Sequence, residues 1–230
     1  MRAEPTCPRC GRPVRAPGLW SNDWTCPVHG AVLPLQPARR PSREGLAALL
    51  QDARAPVWLP WPLPAGWLVT GFLDAGDERT GSRACAVALS GPNLMHGPAD
   101  LLLIAEEPGV GLGARFAGVR EDVAAQTSAA GPPNAVMEVR SASTRPHQVP
   151  LWAVDGAPDR AGYVGEAMGC WLWAVLWPVE AGALLMEELQ LLDLRDPGMR
   201  LDVPFGAFCP RLRPERLRAA EDGRDAAESG

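Results

Sequence analysis

Two cysteine-bearing pairs near the amino terminus, followed by seven short apolar runs separated by turn residues, predict an α+β chain. An N-terminal zinc ribbon leads into a mostly antiparallel, β-rich domain with few short helices. The expected organisation is ribbon and linker over 1–40, a short docking helix over 41–56, a β-rich α+β domain over 57–213 and a disordered tail over 214–230. The pairs are Cys7-Pro-Arg-Cys10-Gly and Cys26-Pro-Val-His29-Gly, C-x2-C and C-x2-H with fifteen residues between them. In each, proline fixes φ after the first ligand and glycine tolerates a left-handed turn after the second, so that backbone N–H groups can aim at the thiolates. Cys7, Cys10, Cys26 and His29 are therefore the expected ligands of one structural Zn2+. Four protein ligands close the site to water or substrate, leaving the ion a folding role. A redox C-x-x-C normally sits between a strand and a helix, and Cys7 has no strand before it. Residues 1–6 carry no secretory pattern, so a reducing cytoplasm is expected and disulfides are disfavoured.

The elements follow in order. From Gly30 to Pro41 the periodicity disappears and prolines accumulate, as in a linker. Ser42 can cap a helix whose Leu46, Leu49, Leu50 and Ala53 form one apolar stripe. Between Ala55 and Trp67 prolines alternate with tryptophans, which excludes a regular helix and leaves extended chain. Trp58 and Trp61 are candidates for a partner-binding surface there, although tryptophans of this kind more often fill a core. The seven apolar runs are Trp67–Leu73, Ala84–Leu89, Leu101–Ala105, Ala135–Val139, Val149–Val154, Ala161–Val164 and Trp171–Trp177. In the last, Trp171, Trp173, Val175 and Trp177 share one face and Leu172, Ala174 and Leu176 the other, which predicts a central strand covered on both sides. The uninterrupted apolar stretch Ala167–Val179 is too short for the roughly 20 residues of a membrane helix. Ala183–Leu194 is read as a strand forming a hairpin after the Glu-Ala-Gly turn, with helix as its competitor.

Composition removes whole enzyme classes. All 22 basic residues are arginine and none is lysine, so Schiff-base, Walker-type and lysine-base chemistry are absent. Residues 1–40 hold six arginines against Glu4 and Asp23, whereas 41–230 hold sixteen against 25 acids. The ribbon is basic and the body acidic; nucleic-acid binding through the ribbon is a reading that the acidic body opposes.

Three further constellations could carry chemistry. Gly109-Val-Gly111-Leu-Gly113-Ala114 loosely matches a dinucleotide turn, with Glu138 as a ribose partner. Glu106-Glu107-Pro108 sets two charges and a helix breaker where a pyrophosphate must approach, so glycines allowing close backbone contact are preferred. Cys85, Cys170 and Cys209, with His96 and His147, show no ligand spacing; the fold alone could pair them. The acids Asp155, Asp159, Glu166, Glu187 and Glu188 read as a solvated surface. No residue is assigned a catalytic role.

The segments CPRCGRPVRAPGLW, WTCPVHGAVLPLQP, PVWLPWPLPAGWLVTG, EEPGVGLGARFAG and WLWAVLWP together resemble an uncharacterised family of actinobacterial proteins, a domain of unknown function, over nearly the full chain. The resemblance implies a soluble, cytosolic bacterial protein with an N-terminal zinc ribbon and carries no activity. The resulting expectation is a noncatalytic interaction or regulatory protein whose rigid ribbon presents Arg9, Arg12, Arg15 and Trp20 to a protein partner or to an acidic patch on its own body. The alternatives are an enzyme of acyl or phosphoryl transfer with a pocket in the β-rich domain, and a nucleic-acid binder.

Overall fold

A computed structural model describes residues 4–19, 21–119, 131–142, 144–187, 189–196 and 202–212. The expected disordered tail, 214–230, lies outside the described residues, as do Trp20 and Glu188. The N-terminal segment contains two minimal strands, β1 (Thr25–Cys26) and β2 (Gly30–Ala31), paired antiparallel. There follow α1 (Arg43–Asp52), β3 (Trp58–Pro60), β4 (Leu68–Asp77), β5 (Gly81–Pro92), β6 (Pro98–Glu106), α2 (Leu112–Ala117), β7 (Ala135–Ser141), β8 (Thr144–Val154), β9 (Ala161–Ala167), β10 (Cys170–Trp177), a 3-10 helix over Val179–Met186, β11 (Gln190–Asp193) and a 3-10 turn over Pro210–Leu212. The chain is mostly β with few helices, and the seven apolar runs fall in strands, apart from Trp67, which precedes β4.

Nine strands form one sheet in the order β3-β11-β7-β8-β9-β10-β6-β5-β4, antiparallel except where β11 runs parallel to β7. The sheet curls until β3, at one end of that order, packs against β5 and β6 near the other. Inside the curl lie Phe72, Leu89, Leu103, Leu172, Met137 and Leu191. The outer face of β4, β5, β6 and β10 is also apolar, carrying Leu73, Ile104, Trp173, Val175 and Trp177. It is covered by Leu112 and Phe116 of α2, Leu35 of the proline-rich segment and Leu212 of the last 3-10 turn. β10 thus sits mid-sheet with both faces buried, because its two alternating side-chain rows are both large and apolar.

The proline-rich 30–41 stretch is packed along the open edge of β4. Arg39 and Phe72 exchange backbone hydrogen bonds of 2.9 and 3.1 Å, and the Gln36 N–H donates to the Asp74 carbonyl at 2.9 Å. Further along β4, the Val69 N–H donates to the Pro204 carbonyl at 3.0 Å, so backbone that would otherwise face water is paired on both stretches. Ser42 caps α1 by accepting from the Gly45 N–H at 3.0 Å, and Leu49 on its apolar stripe is fully buried.

Two readings need correction. Ala183–Leu194 is not a hairpin arm against Trp171–Trp177. Residues through Met186 form the 3-10 helix, which buries Leu184 and Leu185, and only Gln190–Asp193 is a strand, paired with β7 and β3. Pro178 cannot donate to a continued ladder, and the Ala/Leu/Met composition favours helical turns. Trp58, considered for a binding surface, is 2% exposed and belongs to the inner core, because β3 is folded over β5 and β6 and turns that ring inward.

Charge inside the fold is paired. Asp74 is buried and receives the Arg39 Nε at 3.0 Å and the Ser82 hydroxyl at 2.8 Å. Asp193, 1% exposed, accepts from the Val57 N–H at 3.2 Å and from Arg195 Nη2 at 2.6 Å. Arg195 also donates to the Arg54 carbonyl, so this one carboxylate ties the start of β3, the end of β11 and the segment after α1 together. Truncating one partner of a buried pair leaves the other charge uncompensated. Asp193→Ala is expected to lower the unfolding free energy by about 3 kcal/mol, measured by urea denaturation. A loss within experimental error of zero would contradict the role given to this carboxylate.

Candidate metal centre and its docking on the body

The first knuckle closes when the Cys7 carbonyl accepts the Gly11 N–H at 2.8 Å; Gly11 has φ +68°, which glycine adopts without strain. The second is closed by the β1–β2 pairing of Thr25 with Ala31 and Cys26 with Gly30, where Gly30 has φ +69°. The Val28 N–H donates to Cys26 Sγ at 3.4 Å. The two knuckles bring one donor atom each from Cys7, Cys10, Cys26 and His29 within 4.8 Å of one another. Cys10 Sγ lies 3.6 Å from Cys26 Sγ, and His29 Nδ1 lies 3.6 Å from the sulfurs of both Cys7 and Cys26. These four residues could hold a metal ion. Among the described residues no other group of three or more His, Cys, Asp or Glu does so.

The thiols differ in acidity. Burial pushes Cys7 up to about 12, against N–H groups of Cys10 and Arg9 that favour the thiolate, and burial also raises Cys10. At Cys26 burial raises the pKa, but the N–H groups of Val28 and His29, together with the His29 and Cys10 side chains, outweigh it and bring the thiol to about 6. A bound cation favours the thiolate at all three.

The Cys/His module is interlocked with the body. Arg9, inside the first knuckle, donates from Nε to the Val110 carbonyl at 3.3 Å and from Nη2 to the Gly109 carbonyl. In return Arg115 of α2 donates from Nη1 to the Cys7 carbonyl at 3.3 Å. Each arginine lies over a glycine of the other unit. A Cβ on Gly111 would stand 2.8 Å from Arg9 Cγ, and one on Gly11 would stand 2.2 Å from Arg115 Nη2. A second contact lies at the far end of β4, where Trp24 Nε1 donates to Asp77 Oδ2 at 3.0 Å.

The Gly109–Ala114 stretch thus has a structural occupant for every feature that suggested a phosphate turn. The chain does pass from strand through glycines into a helix, but the N-terminus of α2 is filled by the buried Glu106 carboxylate. It accepts from the Leu112 N–H at 2.6 Å and the Gly113 N–H at 3.1 Å. Gly113 is glycine because a Cβ there would fall 2.2 Å from Trp173 Cδ1. Sequence reasoning treated Glu106 as a repelling charge and missed it as a cap; the signal was a carboxylate six residues before the helix. Arg115 was missed too, because nothing in its spacing points back to the first knuckle.

The remaining candidates are dispersed. Arg12 and Arg15 are exposed, and Trp61 is half-buried against the inner core. His96 is exposed in the β5–β6 turn, and His147 is exposed on β8, with β9 and β10 between it and β6 in the sheet. Cys85, Cys170 and Cys209 are buried, and burial raises all three thiols, Cys209 to about 11. Such thiols are poor nucleophiles. Asp155, Asp159, Glu166 and Glu187 are exposed, with Asp159 paired to Arg160 and Glu166 accepting from the Gly169 N–H. Glu138 pairs with Arg140 on its own strand. No described helix is long and apolar enough to cross a membrane.

A family model matches residues 1–212, and its description is a family of unknown function, DUF6758. The chain belongs to that family. No curated protein and no solved structure matched the chain.

Burial holds the Glu106 carboxyl above its usual range, opposed by the Leu112 and Gly113 N–H groups. The folded chain then keeps this proton to higher pH than the unfolded chain, so stability falls as pH rises through the window between the unfolded and the folded pKa. Glu106→Gln is expected to flatten that fall, checked by denaturation series across pH 4 to 8; an unchanged slope would count against this assignment. Gly113→Ala, which drives a methyl into Trp173, is expected to cost roughly 1–3 kcal/mol and to shift tryptophan fluorescence, both read in the same unfolding experiments.

Proposed function

We propose that this DUF6758 member is a noncatalytic interaction or regulatory protein of the actinobacterial cytoplasm, in which Zn2+ structures an N-terminal ribbon that presents a hairpin tip to a protein partner. The donor set supports zinc, since three soft thiolates and one imidazole suit it better than they suit Mg2+, Ca2+ or an all-cysteine iron site. The spacing fits as well. Metal–sulfur bonds of about 2.3 Å in a tetrahedron need sulfurs about 3.8 Å apart, and Cys10 and Cys26 stand at 3.6 Å, far beyond the roughly 2.05 Å of a disulfide. Cys7, Cys10 and Cys26 through Sγ and His29 through Nδ1 would hold the ion. When bound it supplies rigidity, since no ligand position is left for substrate.

The observation that carries the partner reading is Leu19, 97% exposed. It stands at the tip of a hairpin whose arms are joined by paired Arg15–Thr25 and Gly18–Ser21 backbone hydrogen bonds. A large apolar residue in water at a tight turn, where Asn or Gly is the usual choice, supports reading the tip as a contact point. Arg12 and Arg15 are exposed on the same module and Trp20 is next in sequence, a basic and aromatic complement suited to an acidic rim on the partner. Arg9 is spent on the carbonyls of Gly109 and Val110, which weakens any continuous arginine stripe for nucleic acid.

Elemental analysis of the purified protein is expected to find one zinc per chain, lost in Cys10→Ser. Tagged wild type and a Leu19→Asp, Arg12→Glu, Arg15→Glu variant, each exposed to cytosol of the source cells, should differ in one partner that only the wild type retains. Identical captured sets from two metal-loaded, folded proteins would end the partner reading.

A further inference from the structure

We infer that the metal centre is completed from the body of the chain. Arg115 and the Gly109–Gly111 turn act as positioning elements for the Cys7–Cys10 knuckle, so that metal affinity and the docking of α2 are one coupled property. The inference rests on the reading of Cys7, Cys10, Cys26 and His29 as a zinc site and extends it to residues about a hundred positions away.

Three observations carry it. The Cys7 carbonyl, which accepts the Gly11 N–H to close the first knuckle, also accepts Arg115 Nη1. The ligand's own peptide group is therefore oriented from both sides. In the opposite direction, Arg9 reaches the Gly109 and Val110 carbonyls from inside that knuckle, so the knuckle's shape aims the guanidinium. Third, Arg9 packs over Gly111 and Arg115 over Gly11, so each unit presents a glycine where the other's arginine lies. Charge points the same way. Three thiolates on a divalent ion carry a net charge near minus one, and the Arg115 guanidinium reaches the backbone carbonyl of one of those ligands, Cys7.

Coupling of this kind is reciprocal. If docking favours the metal-bound knuckle, the metal favours docking by the same factor. The segment so coupled is not peripheral, because Val110, Leu112 and Phe116 cover Ile104, Trp173 and neighbouring apolar groups on the outer face of the sheet. Loss of metal would unlatch that cover.

The test uses full-length protein and zinc itself. Zinc affinity is measured by competition with a chromophoric chelator for wild type, Arg9→Ala, Arg115→Ala, Arg115→Lys and Arg43→Ala. Arg43, an exposed residue of α1 that pairs with Asp202, serves as the control. Hydrogen exchange over residues 107–119 is followed in wild type before and after zinc removal. Arg9→Ala and Arg115→Ala are expected to weaken zinc binding roughly fivefold or more, the lower bound of ordinary site-to-site coupling. Arg115→Lys should recover part of the loss, Arg43→Ala should match wild type, and zinc removal should speed exchange over 107–119. Equal affinities in all five proteins, with exchange indifferent to zinc, would overturn the coupling and leave the metal site standing. Wild type that binds no zinc at all overturns both.

Discussion

The outer face of β10 cannot be left in water. Trp173, Val175 and Trp177 project from the side of the sheet opposite the curl, and burying side chains of this size stabilises by roughly 1.5–3 kcal/mol each. Curling protects only the inner face, so the outer one must be roofed by pieces from elsewhere in the chain. Three do so: the proline-rich segment with Leu35, α2 with Leu112 and Phe116, and the last 3-10 turn with Leu212. The first two bring polar groups that must be satisfied. The proline-rich segment satisfies its backbone along the β4 edge, α2 has its N-terminal N–H groups taken by Glu106, and the turn before it gives its carbonyls to Arg9. The Cys/His module is attached where it is because the roof needs a partner there.

Buried ionic groups follow the same logic. Asp74, Asp193 and Glu106 all lie inside, and each meets backbone N–H groups, an arginine or a hydroxyl. With no lysine in the chain, every strong cationic partner is a planar guanidinium, which can address two acceptors at once. Arg195 uses this fork on Asp193 and the Arg54 carbonyl, and Arg9 uses it on two successive carbonyls. Trp177, 2% exposed, has the guanidiniums of Arg160 and Arg211 at 5.1 and 5.2 Å from its ring, a cation–π contact at each. Their own charges are met by Asp159 and Asp100.

Much of the fold was legible because it rests on local rules. The alternation in Trp171–Trp177 marks a two-sided strand without knowledge of its neighbours, and Ser42 with its leucine stripe marks α1. What could not be read was long-range. β11 is four residues that gain their strand character from β7 and β3, more than forty and more than a hundred positions away, whereas the Leu-rich stretch before it takes the helical form its composition prefers. Trp58 could have faced either way; the decision belongs to the curl that lays β3 over β5 and β6. The four metal-binding candidates were legible for the opposite reason, since both knuckles are short and their turn chemistry is written beside the ligands.

The glycine-rich turn shows why the same letters can carry two meanings. A phosphate-binding loop uses glycine so that a ligand can approach backbone and uses the helix N-terminus for its positive potential. Here both properties are present and both are met from within: Arg9 lies against Gly111, Trp173 against Gly113, and the Glu106 carboxylate takes the N–H groups at the start of α2. Sequence exposes the need for close approach but not what approaches. The two acids before the turn were the distinguishing feature, since a carboxylate close enough to repel a phosphate is also close enough to replace it. Arg83, which pairs with Glu107, holds the second acid aside on β5 and leaves Glu106 alone to enter the helix. A motif that in another setting builds a ligand site becomes, in this chain, the socket for its own N-terminal module.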